Sequence, residues 1–164
     1  MKPYSDPISL QDVYEVCLPF VLKYLYPLIK NGKVELSTEL FSEDEKDSYV
    51  DEAREIEICT TYKLRPVIVM SQSFIIDNSY LVMAITKVKG MINPEYLLAV
   101  SDNKIVERHL LPRKKYESTL KFDSLAMVDA IYRVTKNNFY YRRGRIKQDD
   151  YDAVRAKLKK ILSG

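Results

Sequence analysis

The densest group of residues suited to ligand binding is a run of arginines that directly follows three aromatic residues. Arg142, Arg143 and Arg145 come immediately after the aromatic stretch 139–141. Single-stranded RNA is commonly held by stacking of its bases on aromatic rings, together with cations along its backbone. The cluster therefore predicts RNA contacts for the three arginines. The alternative is a solvated linker before the last helix.

One histidine and two cysteines are the other side chains that could take part in catalysis or bind a metal. His109 carries an imidazole, whose protonation changes near neutral pH, and is a possible general acid or base. Cys17 and Cys59 form neither a CxxC motif nor a cluster, which indicates reduced residues of a cytosolic protein. With so few nitrogen and sulfur ligands, no zinc site is expected.

The charges of the chain are unevenly distributed. The 164 residues carry a formal net charge of only +3. Residues 33–57 hold ten acidic and three basic side chains, whereas residues 104–164 hold sixteen basic and seven acidic ones. Such a division favours an anionic partner for the C-terminal half, or else solvated helix faces.

The N-terminal third shows a helical pattern. Apolar residues at helical spacing predict a helix over 9–30, which Asn31 and Gly32 would end. A capping box beginning at Ser42 predicts a short acidic helix to about Ala53. Residues 1–53 are therefore predicted to form a helical, acidic extension. Its apolar run is interrupted by charges and has no basic leader, so neither a membrane span nor a secretory signal is expected.

From about residue 55 the pattern changes to short stretches typical of strands. Apolar or alternating stretches occupy 55–59, 66–70, 80–85, 96–100 and 125–134. They predict a small sheet or barrel. A final helix is predicted over 148–162, because five of its apolar residues line one face. These are Tyr151, Val154, Leu158, Ile161 and Leu162.

Five short stretches, in this order along the chain, resemble the PemK/MazF family of toxins. Residues 63–69, Lys-Leu-Arg-Pro-Val-Ile-Val, are similar to its RPV strand, and 81–86, Leu-Val-Met-Ala-Ile-Thr, to its second strand. The Asp-Ser pair in 120–124, the stretch 130–135 and Gly-Arg-Ile at 144–146 resemble its later elements. The similarity covers about residues 55–164.

This resemblance implies an α+β fold in which residues 54–164 form a small SH3-like β-barrel with a C-terminal helix. It implies a toxin that forms a homodimer and has an antitoxin as partner. Since neither a secretory signal nor a membrane span is expected, the protein is predicted to be cytoplasmic. The low glycine and high lysine, tyrosine and isoleucine content indicates an AT-rich bacterial or phage genome. The implied activity is metal-independent and cofactor-free cleavage of single-stranded RNA to 2′,3′-cyclic phosphate and 5′-hydroxyl ends. Arg65 and Thr86 match the family's two central catalytic positions. Lys63, Lys87 and Lys89 flank them and are expected to contact phosphates.

Two other functions fit the same pattern. A barrel of this shape can bind and inhibit a protein without catalysis, or can bind RNA as a regulator. Residues 53–62 lack the Gly-Asp pair and the Gly-x-Glu-Gln loop that precede the RPV strand in the family. That departure favours the binding functions, whereas Arg65 and Thr86 favour the ribonuclease.

Overall fold

A computed structural model describes residues 6–20, 26–30, 33–37, 61–88 and 93–163. The chain divides into two compact units, Met1–Leu18 with Leu64–Gly164, and Pro19–Lys63. The elements of the described residues are, in order, β1 (Asp12–Phe20), β2 (Tyr26–Lys30), β3 (Lys33–Ser37), β4 (Thr61–Val69), β5 (Ser79–Lys87), α1 (Pro94–Ser101), β6 (Arg108–Leu111), β7 (Ser124–Thr135), β8 (Phe139–Arg145) and α2 (Gln148–Leu162).

Among the described residues, six strands form one antiparallel sheet in the order β6-β7-β5-β4-β1-β8. The β4–β5 pair is a hairpin in which Val67 lies opposite Ala84 and Val69 opposite Val82. Strand β7 continues the sheet on the other side of β5, with Thr86 opposite Leu125. With α1 and α2, the sheet makes a small α+β domain, as the sequence predicted.

The two faces of this sheet carry separate apolar clusters. The first cluster contains Val13, Ile68, Met83 and Ile85 and includes Tyr151 and Val154 of α2. The second contains Tyr14, Val16, Val67, Val82, Ala84 and Phe139. Since successive residues of a strand point to opposite faces, β5 divides its side chains between the two clusters. Helix α2 covers the face of the first cluster.

The helix predicted over 9–30 is wrong, because the described residues of that range form β1 and β2. Val13 belongs to the first apolar cluster, whereas Tyr14 and Val16 belong to the second. A strand buried on both faces is almost continuously apolar, and periodicity alone does not separate it from a buried helix.

The second unit contains a two-stranded hairpin. Strands β2 and β3 pair from Tyr26 opposite Ser37 to Lys30 opposite Lys33. The predicted acidic helix up to Ala53 and the predicted strand 55–59 lie outside the described residues. The predicted domain boundary after residue 53 lies there too and stays a prediction.

The strand predicted over 96–100 is also wrong, because this stretch is part of α1. Asn93 caps the helix, with its side-chain oxygen accepting a hydrogen bond from Glu95 N at 2.9 Å. Pro94 occupies the first turn, where the missing N–H costs nothing. The helix predicted over 148–162 is confirmed as α2.

Candidate nucleic-acid interface

Arg65 and Thr86 occupy corresponding positions at one end of the β4–β5 hairpin. The last recorded pair toward that end is Val67 with Ala84. Arg65 lies two residues before Val67, and Thr86 lies two residues after Ala84. Strand alternation therefore places both side chains on the face of the second cluster. Each is half-buried.

This arrangement suits the binding of a phosphate group. A guanidinium remains charged at all working pH values and can donate two parallel hydrogen bonds to phosphoryl oxygens. A threonine hydroxyl can donate one more, and β-branching restricts its rotamers. By strand alternation, this end of the hairpin thus carries a cation and a hydroxyl donor on one face.

The lysines near this pair are only partly described. Lys63 lies in β4 and is exposed. Lys87 follows Thr86, is exposed, and holds Nζ 5.3 Å from the centroid of the Phe122 ring. Lys89 lies outside the described residues. A phosphate contact stays a prediction for all three lysines.

The three arginines predicted to bind RNA lie on the strand β8 and not in a linker. Arg142 and Arg145 both bind Asp12 of β1, through Nε–Oδ distances of 2.7 Å each. Arg143 pairs with Glu15 of the same strand. The ion pairs tie the edge strand β8 to β1, so part of this charge serves the fold.

Asp12 is unusually well sheltered for an acidic residue. Its side chain is only 4% exposed. Burial raises the pKa of this carboxyl, but hydrogen bonds and charge from Arg142 and Arg145 outweigh burial and hold the pKa below its usual value. Asp12 is therefore ionised at neutral pH and shared between two cations, which leaves one net positive charge.

A family model for the PemK-like, MazF-like toxin of type II toxin–antitoxin systems matches residues 53–162. The chain belongs to this family. The matched range covers about two thirds of the sequence and includes Arg65 and Thr86. No individual curated protein matches the chain closely enough to serve as a relative. No helix of the described residues is long and apolar enough to cross a membrane.

In this PemK/MazF-family chain, the His109 side chain of β6 contacts the first turn of α2. Its Nε2 lies 3.0 Å from Oδ1 of Asp150, and both side chains are largely buried. The second oxygen of Asp150 accepts a hydrogen bond from the Tyr116 hydroxyl and lies 2.8 Å from Nζ of Lys115. His109, Lys115 and Asp150 line a cleft of about 300 Å³ beside α1.

The carboxyl of Asp150 is the centre of this group. Burial raises its pKa, but hydrogen bonds from His109, Lys115 and Tyr116 outweigh burial and leave the pKa well below its usual value. Burial and the neighbouring Asp150 raise the pKa of the Tyr116 hydroxyl. The group therefore consists of an ionised carboxylate with three donors around it.

The structure does not bring His109 together with Arg65 and Thr86. His109 contacts α2, which packs on the face that contains Met83 and Ile85. Thr86 projects to the other face by strand alternation. The acid/base role of His109 stays a prediction, and its position on the other face does not favour it.

Proposed function

We propose that this chain is a metal-independent endoribonuclease toxin that cleaves single-stranded RNA to 2′,3′-cyclic phosphate and 5′-hydroxyl ends. The observation that carries the proposal is the pair formed by Arg65 and Thr86 at one end of the β4–β5 hairpin. Membership of the toxin family supports it. A homodimer, an antitoxin partner and a cytoplasmic location belong to the same proposal.

The pair would act on the charge that develops during cleavage. The 2′-hydroxyl of the RNA attacks the adjacent phosphorus, the bond to the 5′-oxygen breaks, and negative charge builds on the phosphoryl oxygens. Arg65 binds that charge, and Thr86 orients the phosphate for in-line attack. A fixed donor at such a position contributes about 3 kcal/mol to transition-state binding.

The SH3-like barrel of the family is part of the proposal. The segment between β6 and β7 reaches the far edge strand, since Thr119 contacts Gly144 of β8. This contact supports the closure of a curved sheet into a barrel.

Cleavage of a long single-stranded RNA in the presence of EDTA tests the proposal. Wild type, Arg65→Ala and Thr86→Ala are compared after circular dichroism has established that all three fold, with Thr86→Ser as the control that keeps the hydroxyl. Wild type should cleave, and each alanine variant should lose about a hundredfold or more in rate. A 2′-deoxy nucleotide at the cleaved position should block the reaction.

If the folded wild-type protein leaves the RNA intact, the ribonuclease proposal is wrong. The binding functions would then be favoured, and the engagement of Arg142, Arg143 and Arg145 by carboxylates is consistent with them.

A further inference from the structure

The loop that joins β4 to β5 exposes three apolar residues in a row, which we call the loop tip. Ile75 and Ile76 are 98% and 96% exposed, and the neighbouring Phe74 is 38% exposed. Single apolar residues on a surface are ordinary, whereas contiguous apolar patches mark places where a partner binds. Two adjacent isoleucines that add almost nothing to the core therefore indicate a docking element.

Several contacts fix the shape of this loop. Phe74 donates a backbone hydrogen bond from its N–H to the Ser79 carbonyl at 2.8 Å. Arg133 of β7 binds Asp77 at 2.9 Å, and its guanidinium carbon lies 4.8 Å from the centroid of the Phe74 ring. A loop that is already ordered loses little conformational entropy when it binds a partner. The loop tip is thus presented in a form suited to docking.

A cleft of about 370 Å³, the α2 cleft, opens at the base of the same loop. Met70 and Leu81 flank the loop, are joined by a hydrogen bond from Met70 N to the Leu81 carbonyl at 2.8 Å, and line the cleft. The C-terminal half of α2 also lines it, and Leu162 at the end of this helix is 78% exposed. The other apolar lining residues are Ile131 and Leu158.

The loop tip and the α2 cleft complement each other in shape and charge. The tip offers two aliphatic side chains followed by the carboxylate of Asp77, whose side chain is 42% exposed. The cleft offers an aliphatic lining beside two exposed cations, Arg155 and Lys159. Because Ile75 and Ile76 are almost fully exposed, the tip does not fill the cleft of its own chain.

A second copy of the chain carries both matching surfaces. The loop tip and the α2 cleft are neighbours on one compact unit. A single two-fold axis between them therefore brings each tip to the cleft of the other copy, so that the same contact forms twice. Such an isologous interface buries four isoleucines, two from each chain.

We propose that two copies of this chain dock through these surfaces, with the loop tip at Ile75 and Ile76 of each copy entering the α2 cleft of the other. The interface rests on the homodimer in the proposed function and assigns its surface, but it does not depend on ribonuclease activity. The loop lies at the end of the β4–β5 hairpin opposite to Arg65 and Thr86. The contact therefore leaves the candidate catalytic pair uncovered.

Sedimentation equilibrium of the full chain measures self-association. Wild type should form a dimer, and the Ile75→Ser/Ile76→Ser double variant should raise the dissociation constant about thirtyfold or more, as expected for the centre of an interface. Leu162→Ser in the α2 cleft should weaken the dimer in the same direction. Leu98→Ser removes a 61% exposed apolar side chain from α1, outside both surfaces, and should have no effect.

A mixture of the loop-tip variant with the cleft variant tests whether the two surfaces meet. In a heterodimer both changes fall in one contact, and the other contact joins an intact tip to an intact cleft. The mixture should therefore associate more tightly than either variant alone. Variants that had merely lost their fold would not rescue each other, and circular dichroism of each variant provides the control.

The interface and the ribonuclease fail in different ways. A wild type that stays monomeric even at high protein concentration overturns the interface together with the homodimer, and leaves the loop tip to a different partner. A wild-type dimer that the loop-tip variant does not weaken, or a mixture that associates no better than its components, overturns the interface alone. RNA left intact by a dimer that the loop-tip variant dissociates overturns the ribonuclease and supports the interface.

Discussion

The Nε2 atom of His109 lies 3.0 Å from Oδ1 of Asp150, and this contact joins the edge strand β6 to the first turn of α2. Asp150 also binds Lys115 and Tyr116, which lie in the segment between β6 and β7. One carboxylate therefore connects β6, α2 and this segment. Its position in the first turn of α2 also suits the helix dipole.

Substitution of Asp150 by Asn should lower the free energy of unfolding at pH 7 by about 3 kcal/mol, because a largely buried carboxylate with three partners is removed. Urea unfolding followed by circular dichroism measures the loss. Asp149→Asn is the matched control, since the Asp149 side chain is 69% exposed and forms its ion pair with Lys115. The control should cost less than about 1 kcal/mol. Equal losses in the two variants would contradict the central role of Asp150.

The contribution of Asp150 should depend on pH in one direction. The pKa of its carboxyl is lower in the folded chain than in the unfolded one. Its stabilisation is therefore complete above the unfolded value of about 3.9 and is lost as pH falls from there toward the folded value. The difference in unfolding free energy between wild type and Asp150→Asn should shrink as pH falls below about 4, where the carboxyl of the unfolded chain becomes protonated. A difference that grows as pH falls below about 4 would show that the sign is wrong.

His109→Ala should leave RNA cleavage nearly intact while it destabilises the fold. His109 faces α2, on the opposite side of the sheet from Thr86, so it contacts no group at the proposed reaction centre. The cleavage rate should stay within about threefold of wild type, whereas Arg65→Ala should lose about a hundredfold or more. Rates are compared at a temperature at which both variants are fully folded. A loss in His109→Ala as large as that in Arg65→Ala would place the imidazole in the reaction.

The strands around the candidate site were predictable because their apolar runs are short and bounded by polar residues. The stretches 66–70 and 80–85 correspond to β4 and β5, and their register puts Arg65 and Thr86 at the same end of the hairpin. The amphipathic pattern of α2 was equally clear. In these elements local sequence and tertiary packing favour the same structure.

The N-terminal strand and the role of the arginines were not predictable in the same way. Burial on both faces gave β1 the apolar content of a helix. Asp12 and Glu15 of this strand have partners, Arg142 and Arg143, that are about 130 residues away in sequence. Only the pairing of β1 with β8 brings these charges together, so a single sequence gave no signal of it.

Arg142 and Arg145 should show a non-additive effect on stability, because they share Asp12. Either alanine variant alone leaves the buried carboxylate with one guanidinium and should cost about 1 kcal/mol or less. The double variant leaves Asp12 without either arginine, and its loss should exceed the sum of the single losses by about 1 kcal/mol or more. Denaturant unfolding of the four proteins completes the cycle. Strict additivity would mean that the two arginines act independently.

Gly144→Ala should destabilise the protein through two separate effects. The backbone at Gly144 has a φ of 155°, which side chains of L-residues rarely adopt, and an added Cβ would overlap with the hydroxyl of Thr119. Overpacking and backbone strain each cost about 1–3 kcal/mol. Thermal unfolding should therefore show a clear loss for Gly144→Ala.

The Thr119→Ala background separates the two effects. Thr119→Ala removes the overlapping hydroxyl but not the backbone strain at Gly144. With Thr119→Ala alone as the reference, Gly144→Ala should therefore cause a smaller loss of stability, which is still measurable. Unchanged stability in Gly144→Ala would mean that β8 and the segment 119–123 are not in close contact.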